Sequence, residues 1–156
     1  MTIHLARPQS QGDWTQARQL IEQYAASLKL DLSFQDFAHE VEHLSSEYAP
    51  PMGDFLLAVE QSIYLGCVGL RQFSAGVGEI KRLYAIPAAR GRRVGRLLAE
   101  GIVAAAEELG YAQLLLDTLP SMQEAQSLYE SMGFTPTPAY RFNPVPGTVF
   151  LKLSLR

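Results

Sequence analysis

Only one cysteine, Cys67, occurs in the chain, so no disulfide can close within it. Set among Leu65, Gly66 and Val68, the lone thiol reads as a small buried hydrophobe on a strand. The lack of paired cysteines fits a reducing compartment. No apolar run approaches the ~18–20 residues that span a bilayer. The N-terminal MTIHLARPQS has no basic segment followed by an apolar one, so no secretory signal is read there. Internal repeats and low-complexity stretches are absent too. Excess positive charge is also lacking: the net charge is −3, which argues against bulk binding to nucleic acid or an anionic membrane. These absences predict a cytoplasmic globular protein. The 156 residues are 47% hydrophobic and 19% charged, ordinary values that suffice for one domain with a proper core.

Within this acidic chain one segment stands apart, EIKRLYAIPAARGRRVG from Glu79 to Gly95. An apolar strand ends at Pro87. A glycine-punctuated turn follows, and Arg90, Arg92, Arg93 and Arg96 fall within seven residues. A helix then opens at Val94 and Gly95. Helix N-termini present unpaired N–H groups and a positive dipole end. Glycine permits close approach of an anion, and arginine adds charge-assisted hydrogen bonds. Exposed cations there without an anion would oppose the dipole by about 0.3–1 kcal/mol each. The segment therefore reads as a diphosphate cradle.

Periodicity places the other elements. A strand is expected at residues 2–6. A helix capped by Asp13 follows to Leu28, and a second begins after Ser33 and runs to Leu44. Residues 49–53, APPMG, break the pattern. Strands are expected at 55–59, 63–71 and 79–86, a helix at 94–109 closed by Gly110, and a buried strand at 112–118. Ser121, with Glu124 at the reciprocal position, should cap a helix ending at Gly133. Phe134 begins a strand, and the last runs over 148–155. The predicted fold class is α/β: a mixed, mostly antiparallel central sheet with one parallel β-α-β crossover and helices on both faces.

Two signatures at this spacing resemble the GNAT superfamily of acyl-CoA-dependent N-acetyltransferases. The first is Arg90-Gly91-Arg92-Arg93-Val94-Gly95, which matches Gln/Arg-x-x-Gly-x-Gly/Ala except that Arg93 replaces the middle glycine. The second, Ala-x-x-Leu-Tyr-x-x-x-Gly-Phe, is complete from Ala125 to Phe134. Met122 stands where many relatives carry Asn. The resemblance implies a single acetyltransferase domain over residues 1–156, with acetyl-CoA as co-substrate. Its pantetheine arm would lie against the backbone of Leu83, Tyr84 and Ala85. The loop from Arg90 through Gly91, Arg92, Arg93, Val94 and Gly95 to Arg96 would hold the pyrophosphate. It also implies Tyr129 as general acid for the thiolate, Glu79 as base directly or through water, and Leu83 N–H as oxyanion donor. The plainer alternatives are a packing tyrosine and a surface glutamate paired with Lys81 or Arg82.

For the acceptor, Phe34, Tyr140, Arg141 and Asn143 are the candidate lining residues, with Arg141 placed to hold an acceptor carboxylate. The expected partner is a small-molecule amine, with neither nucleic acid nor membrane. Relatives are often homodimers, and the edge of the final strand could pair across one. A second reading is an acyl-CoA-binding sensor without turnover, suggested by Arg93 and Met122. A third arises from His39-Glu40-Val41-Glu42-His43, a literal H-E-x-x-H zinc-hydrolase pattern. At ~100° per residue, Phe34, Phe37, Val41 and Leu44 form the apolar stripe, and both histidines fall on the opposite face. No metal is expected.

Overall fold

The computed structural model describes residues 2–28 and 36–155. Strand β1 (His4–Ala6) leads into helices α1 (Gln11–Leu28), α2 (Phe37–Glu42) and α3 (Leu44–Glu47). Strands β2 (Asp54–Glu60), β3 (Ile63–Ser74) and β4 (Val77–Ala85) form an antiparallel meander. Helix α4 (Val94–Leu109), strand β5 (Gln113–Thr118), helix α5 (Gln123–Ser131) and strands β6 (Thr135–Pro136) and β7 (Val149–Ser154) complete the order. The seven strands make one sheet, β1-β2-β3-β4-β5-β7-β6, parallel only at β4–β5. The expected fold class is the observed one.

Alternation along β2 sends successive side chains to two cores. Leu56 and Ala58 face α4, where Leu98, Ala99 and Ile102 pack with Val68, Ile80, Leu114, Tyr129 and Phe134. Phe55 and Leu57 face the opposite side, with Ala17, Leu20 and Ile21 of α1, Val41, Leu44, Tyr48 and Cys67. Cys67 is fully buried, as its neighbours suggested, and burial pushes its thiol well above the ordinary range.

Several boundaries differ from expectation. Ser10, not Asp13, caps α1: its Oγ accepts the Asp13 N–H at 3.1 Å, while the Asp13 carboxylate accepts from Gln9 and Ser10 N–H. This is a capping box with an aspartate in the return position. The single helix expected up to Leu44 is broken at His43 (φ −130°) into α2 and α3. Helix α5 starts after Met122 rather than Ser121, without a side-chain cap. Gly110 does close α4 in the left-handed conformation.

Gly69 on β3 marks a close approach. An added Cβ would lie 2.5 Å from a ring carbon of Tyr48, which is 2% exposed. Gly69→Ala is expected to destabilise the protein by about 1–3 kcal/mol through overpacking. Chemical denaturation would read this as a lower midpoint at unchanged m-value.

Candidate active site

The parallel ladder between β4 and β5 is short. Val77, Gly78 and Glu79 pair with Gln113, Leu114 and Leu115, and beyond them the strands separate. A bulge in β4 accompanies the separation. Cys67 pairs with Tyr84 and Gly69 with Lys81, so Arg82 and Leu83 together stand opposite Val68. Arg82 occupies the left-handed region (φ 63°). Backbone N–H and C=O groups of β4 past Glu79 therefore have no β5 partners, which suits an extended chain lying between the strands.

The gap is a cleft lined by Lys81, Arg82 and Leu83 of β4, Asp117 and Thr118 of β5, and Tyr129 of α5, with Tyr24 of α1 on the other side. Tyr129 is 5% exposed and its ring packs against Phe134 at 5.4 Å. Burial raises its hydroxyl well above the usual phenol range, and burial likewise pushes Tyr24 to about 12. Lys81 is shifted the other way, to about 8, chiefly by burial and then by the neighbouring Arg82 charge.

Arg82 is held by a buried carboxylate. Its Nε and a terminal nitrogen donate to the two oxygens of Glu40 at 2.9 and 2.7 Å, and the Tyr48 hydroxyl donates to Glu40 at 2.8 Å. Burial alone would raise the Glu40 carboxyl, but the Arg82 hydrogen bonds and charge outweigh it and hold it below its ordinary value. This assigns the H-E-x-x-H segment. Its glutamate points inward to Arg82, whereas His39 and His43 lie exposed and stacked on each other, centroids 4.2 Å apart. His43 Nδ1 sits 2.8 Å from the His39 carbonyl. The helical period placed the histidines correctly, and the glutamate of the pattern turns away from them to Arg82.

At the head of the cleft, Arg93 takes the left-handed conformation (φ 61°) and serves as the N-cap residue of α4 without a side-chain cap bond. The arginine thus adopts the geometry in which glycine is easiest, and the turn is kept. Gly91 is also left-handed (φ 79°). The helix opens with Val94, Gly95 and Arg96, whose first-turn N–H groups are those an anion would meet. Two of the four arginines are already engaged: Arg92 donates to Glu60 at 2.9 Å, and Arg96 donates to Ser131 at 2.8 Å and pairs with Glu100 at 3.4 Å. Arg90 and Arg93 are exposed and make no side-chain hydrogen bond or ion pair among the described residues.

Glu79 does not share the cleft with Tyr129 and Leu83. It lies 1% exposed at the base of a neighbouring open cleft of about 750 Å³. Its oxygens accept from Arg141 at 2.6 Å and Tyr140 at 3.0 Å, with Arg71 at 3.6 Å. The surface pairing with Lys81 or Arg82 is not the arrangement seen. Burial, then the Glu79 charge, raises the Tyr140 hydroxyl far above its usual range. Asn143 instead donates to Asp117 at 3.3 Å and accepts the Val145 N–H. Phe34 lies outside the described residues. Sequence reading missed Lys81, Arg82, Asp117 and Tyr24. The signal was available for one pair: Glu79 and Lys81, two apart on β4, put two charges on one face of a largely buried strand.

Comparison with known proteins agrees with this geometry. Residues 14–134 match the acetyltransferase (GNAT) family model. An uncharacterized N-acetyltransferase of Schizosaccharomyces pombe is 37% identical over 150 residues, covering 95% of this chain and 90% of the relative. A GNAT-family acetyltransferase from Staphylococcus aureus superposes with a TM-score of 0.82 at 18% identity, over 99% of this chain and 100% of that one. The PaiA N-acetyltransferase of Thermoplasma acidophilum, solved in complex with coenzyme A, gives 0.72 at 15% identity, over 99% of both chains. The chain belongs to the GNAT acetyltransferase family. Acyl transfer is accordingly the general chemistry to be explained.

Proposed function

We propose that the protein transfers the acetyl group of acetyl-CoA directly to the amine of a small molecule, within a ternary complex. The observation that carries this reading is the open wedge between β4 and β5, bordered by Leu83 and Tyr129 and headed by the arginine loop at the α4 N-terminus. Coenzyme A bound by the Thermoplasma neighbour supports the choice of donor. In this scheme Arg90, Arg93 and the first N–H groups of α4 hold the pyrophosphate. The freed backbone of Leu83, Tyr84 and Ala85 aligns the pantetheine arm, and Leu83 N–H donates to the developing oxyanion. Tyr129 keeps its proton at neutral pH and delivers it to the departing thiolate. Glu79 receives the proton of the acceptor amine through water, since its own oxygens are held by Arg141 and Tyr140.

The acceptor carries an acid group as well as an amine. Arg71 and Arg141 converge on one oxygen of Glu79 and both line the open cleft, each with one terminal nitrogen outside any ion pair among the described residues. Arg141→Ala is expected to raise KM for carboxylate-bearing amines by ~10–100-fold, the value of one charged hydrogen bond. Thiol release measured on paired acceptors, with and without the carboxylate, tests it. An equal loss on uncharged amines would refute the acid-group reading. Absence of thiol release with every amine class, despite tight acetyl-CoA binding, would favour the sensor alternative.

A further inference from the structure

The turn from Arg90 to Arg93 is exposed between two buried residues, Ala89 and Val94, each 2% exposed. An added Cβ at Gly91 would meet nothing within 4 Å, so that part of the turn stands clear of neighbouring side chains. Arg92 is the point of attachment. Its two terminal nitrogens donate to the two oxygens of Glu60, one at 2.9 Å, in a fork-to-fork pair that joins residues 32 apart. Glu60 ends β2, where it pairs with Ile63. Gln61 and Ser62, both at positive φ (50° and 78°), make the two-residue turn between β2 and β3. The hairpin therefore fixes the carboxylate, which is 11% exposed, whereas the Arg92 side chain is 41% exposed. A carboxylate here neutralises one of the four arginines beside the proposed anion site. That would weaken a cradle in which all four hold phosphate. The arrangement suits an Arg92 that holds the turn.

We propose that Glu60 is a positioning residue for the diphosphate loop, with Arg92 as its tether. This inference rests on the acetyl-CoA reading above. The tether ties the turn to the β2–β3 hairpin. It thereby sets the place of Arg93, the next residue, whose left-handed conformation (φ 61°) opens α4. The N–H groups of Val94, Gly95 and Arg96 are then presented to the anion before it arrives. Without the tether the turn must be ordered on binding, and affinity falls by that cost. Arg92 is withdrawn from the phosphates, which leaves Arg90 and Arg93 as the arginines that reach them.

A double-variant cycle in the full chain, titrated calorimetrically with acetyl-CoA, tests this. Glu60→Gln and Arg92→Gln should each raise Kd by ~10-fold, and the double variant should raise it no further than either alone. The same factor should be lost with dephospho-CoA, which keeps the diphosphate. An ion pair this open adds little to global stability, so the denaturation midpoints should stay close to that of the unaltered protein. Amide hydrogen exchange should quicken at residues 91–96 and not in the sheet, a local loosening that a merely surface pair would not produce. Equal or tighter binding by Glu60→Gln, beside weaker binding by Arg92→Gln, would make Arg92 a phosphate ligand and overturn the inference. Unchanged Kd in both variants would reduce the pair to a surface contact and overturn it as well. In either case, binding by the unaltered protein leaves the acetyl-CoA reading intact. No binding by the unaltered protein would overturn both.

Discussion

Arg82→Met is expected to lower stability by about 3–5 kcal/mol, because it leaves the Glu40 carboxylate buried without its cation. Both side chains are almost inaccessible, 3% and 1% exposed, and two hydrogen bonds join them. In a domain of this size such a loss lowers Tm by ~6–20 °C. Glu40→Leu should cost a similar amount. The double variant should cost much less than the sum, since an apolar pair replaces a desolvated ionic one. Additive losses would mean that the pair is not coupled. The pH dependence has a definite sign. Glu40 is held below its ordinary carboxyl value, so its stabilisation is present above ~4.3, the unfolded value, and is lost as pH falls through the folded value. The gap between the unaltered protein and Arg82→Met should therefore narrow on acidification.

That pair also supports the site. Arg82 is the left-handed residue of the β4 bulge, and its carbonyl accepts the Cys67 thiol at 3.4 Å. A non-glycine residue in this conformation costs about 1–2 kcal/mol, an expense the Glu40 hydrogen bonds offset. The bulge in turn aims Leu83 into the cleft. Loosening Arg82 should weaken acetyl-CoA binding as well as the fold.

Tyr129→Phe carries the second large effect. If the hydroxyl protonates the leaving thiolate, kcat should fall by ~10²–10⁴-fold. Affinity for acetyl-CoA should stay near that of the unaltered protein, and the ring contact with Phe134 survives in the phenylalanine. Because burial raises the Tyr129 hydroxyl above its usual ~10, the unaltered enzyme should show no loss from its deprotonation between neutral pH and that value. Unchanged turnover in Tyr129→Phe would reduce the residue to packing.

The strand, turn and helix around the arginine loop were readable from sequence because their causes are local. A strand, a proline, a glycine turn and a helix closed by Gly110 follow one another over residues 77–110, and each element bears its own chemical signature. The outward positions of His39 on α2 and His43 at its end were readable for the same reason, through the helical period. What escaped were contacts across long loops. Glu40 and Arg82 are 42 residues apart, and Glu79 and Arg141 are 62 apart. Nothing in either neighbourhood announces its partner. The sequence therefore offered Arg141 as a carboxylate clamp without showing that a protein carboxylate already touches it. The break at His43 and the cap at Ser10 were missed because tertiary packing and a returning aspartate, rather than propensity, decide them.

The central claim is that the β4–β5 wedge and the arginine loop receive acetyl-CoA. Calorimetric titration of ligand-stripped protein with acetyl-CoA, beside dephospho-CoA and ATP, tests it most directly. Saturable binding in the micromolar range, roughly −8 kcal/mol, is expected for acetyl-CoA and weaker binding for both controls. Heat indistinguishable from dilution up to about 1 mM acetyl-CoA would contradict it.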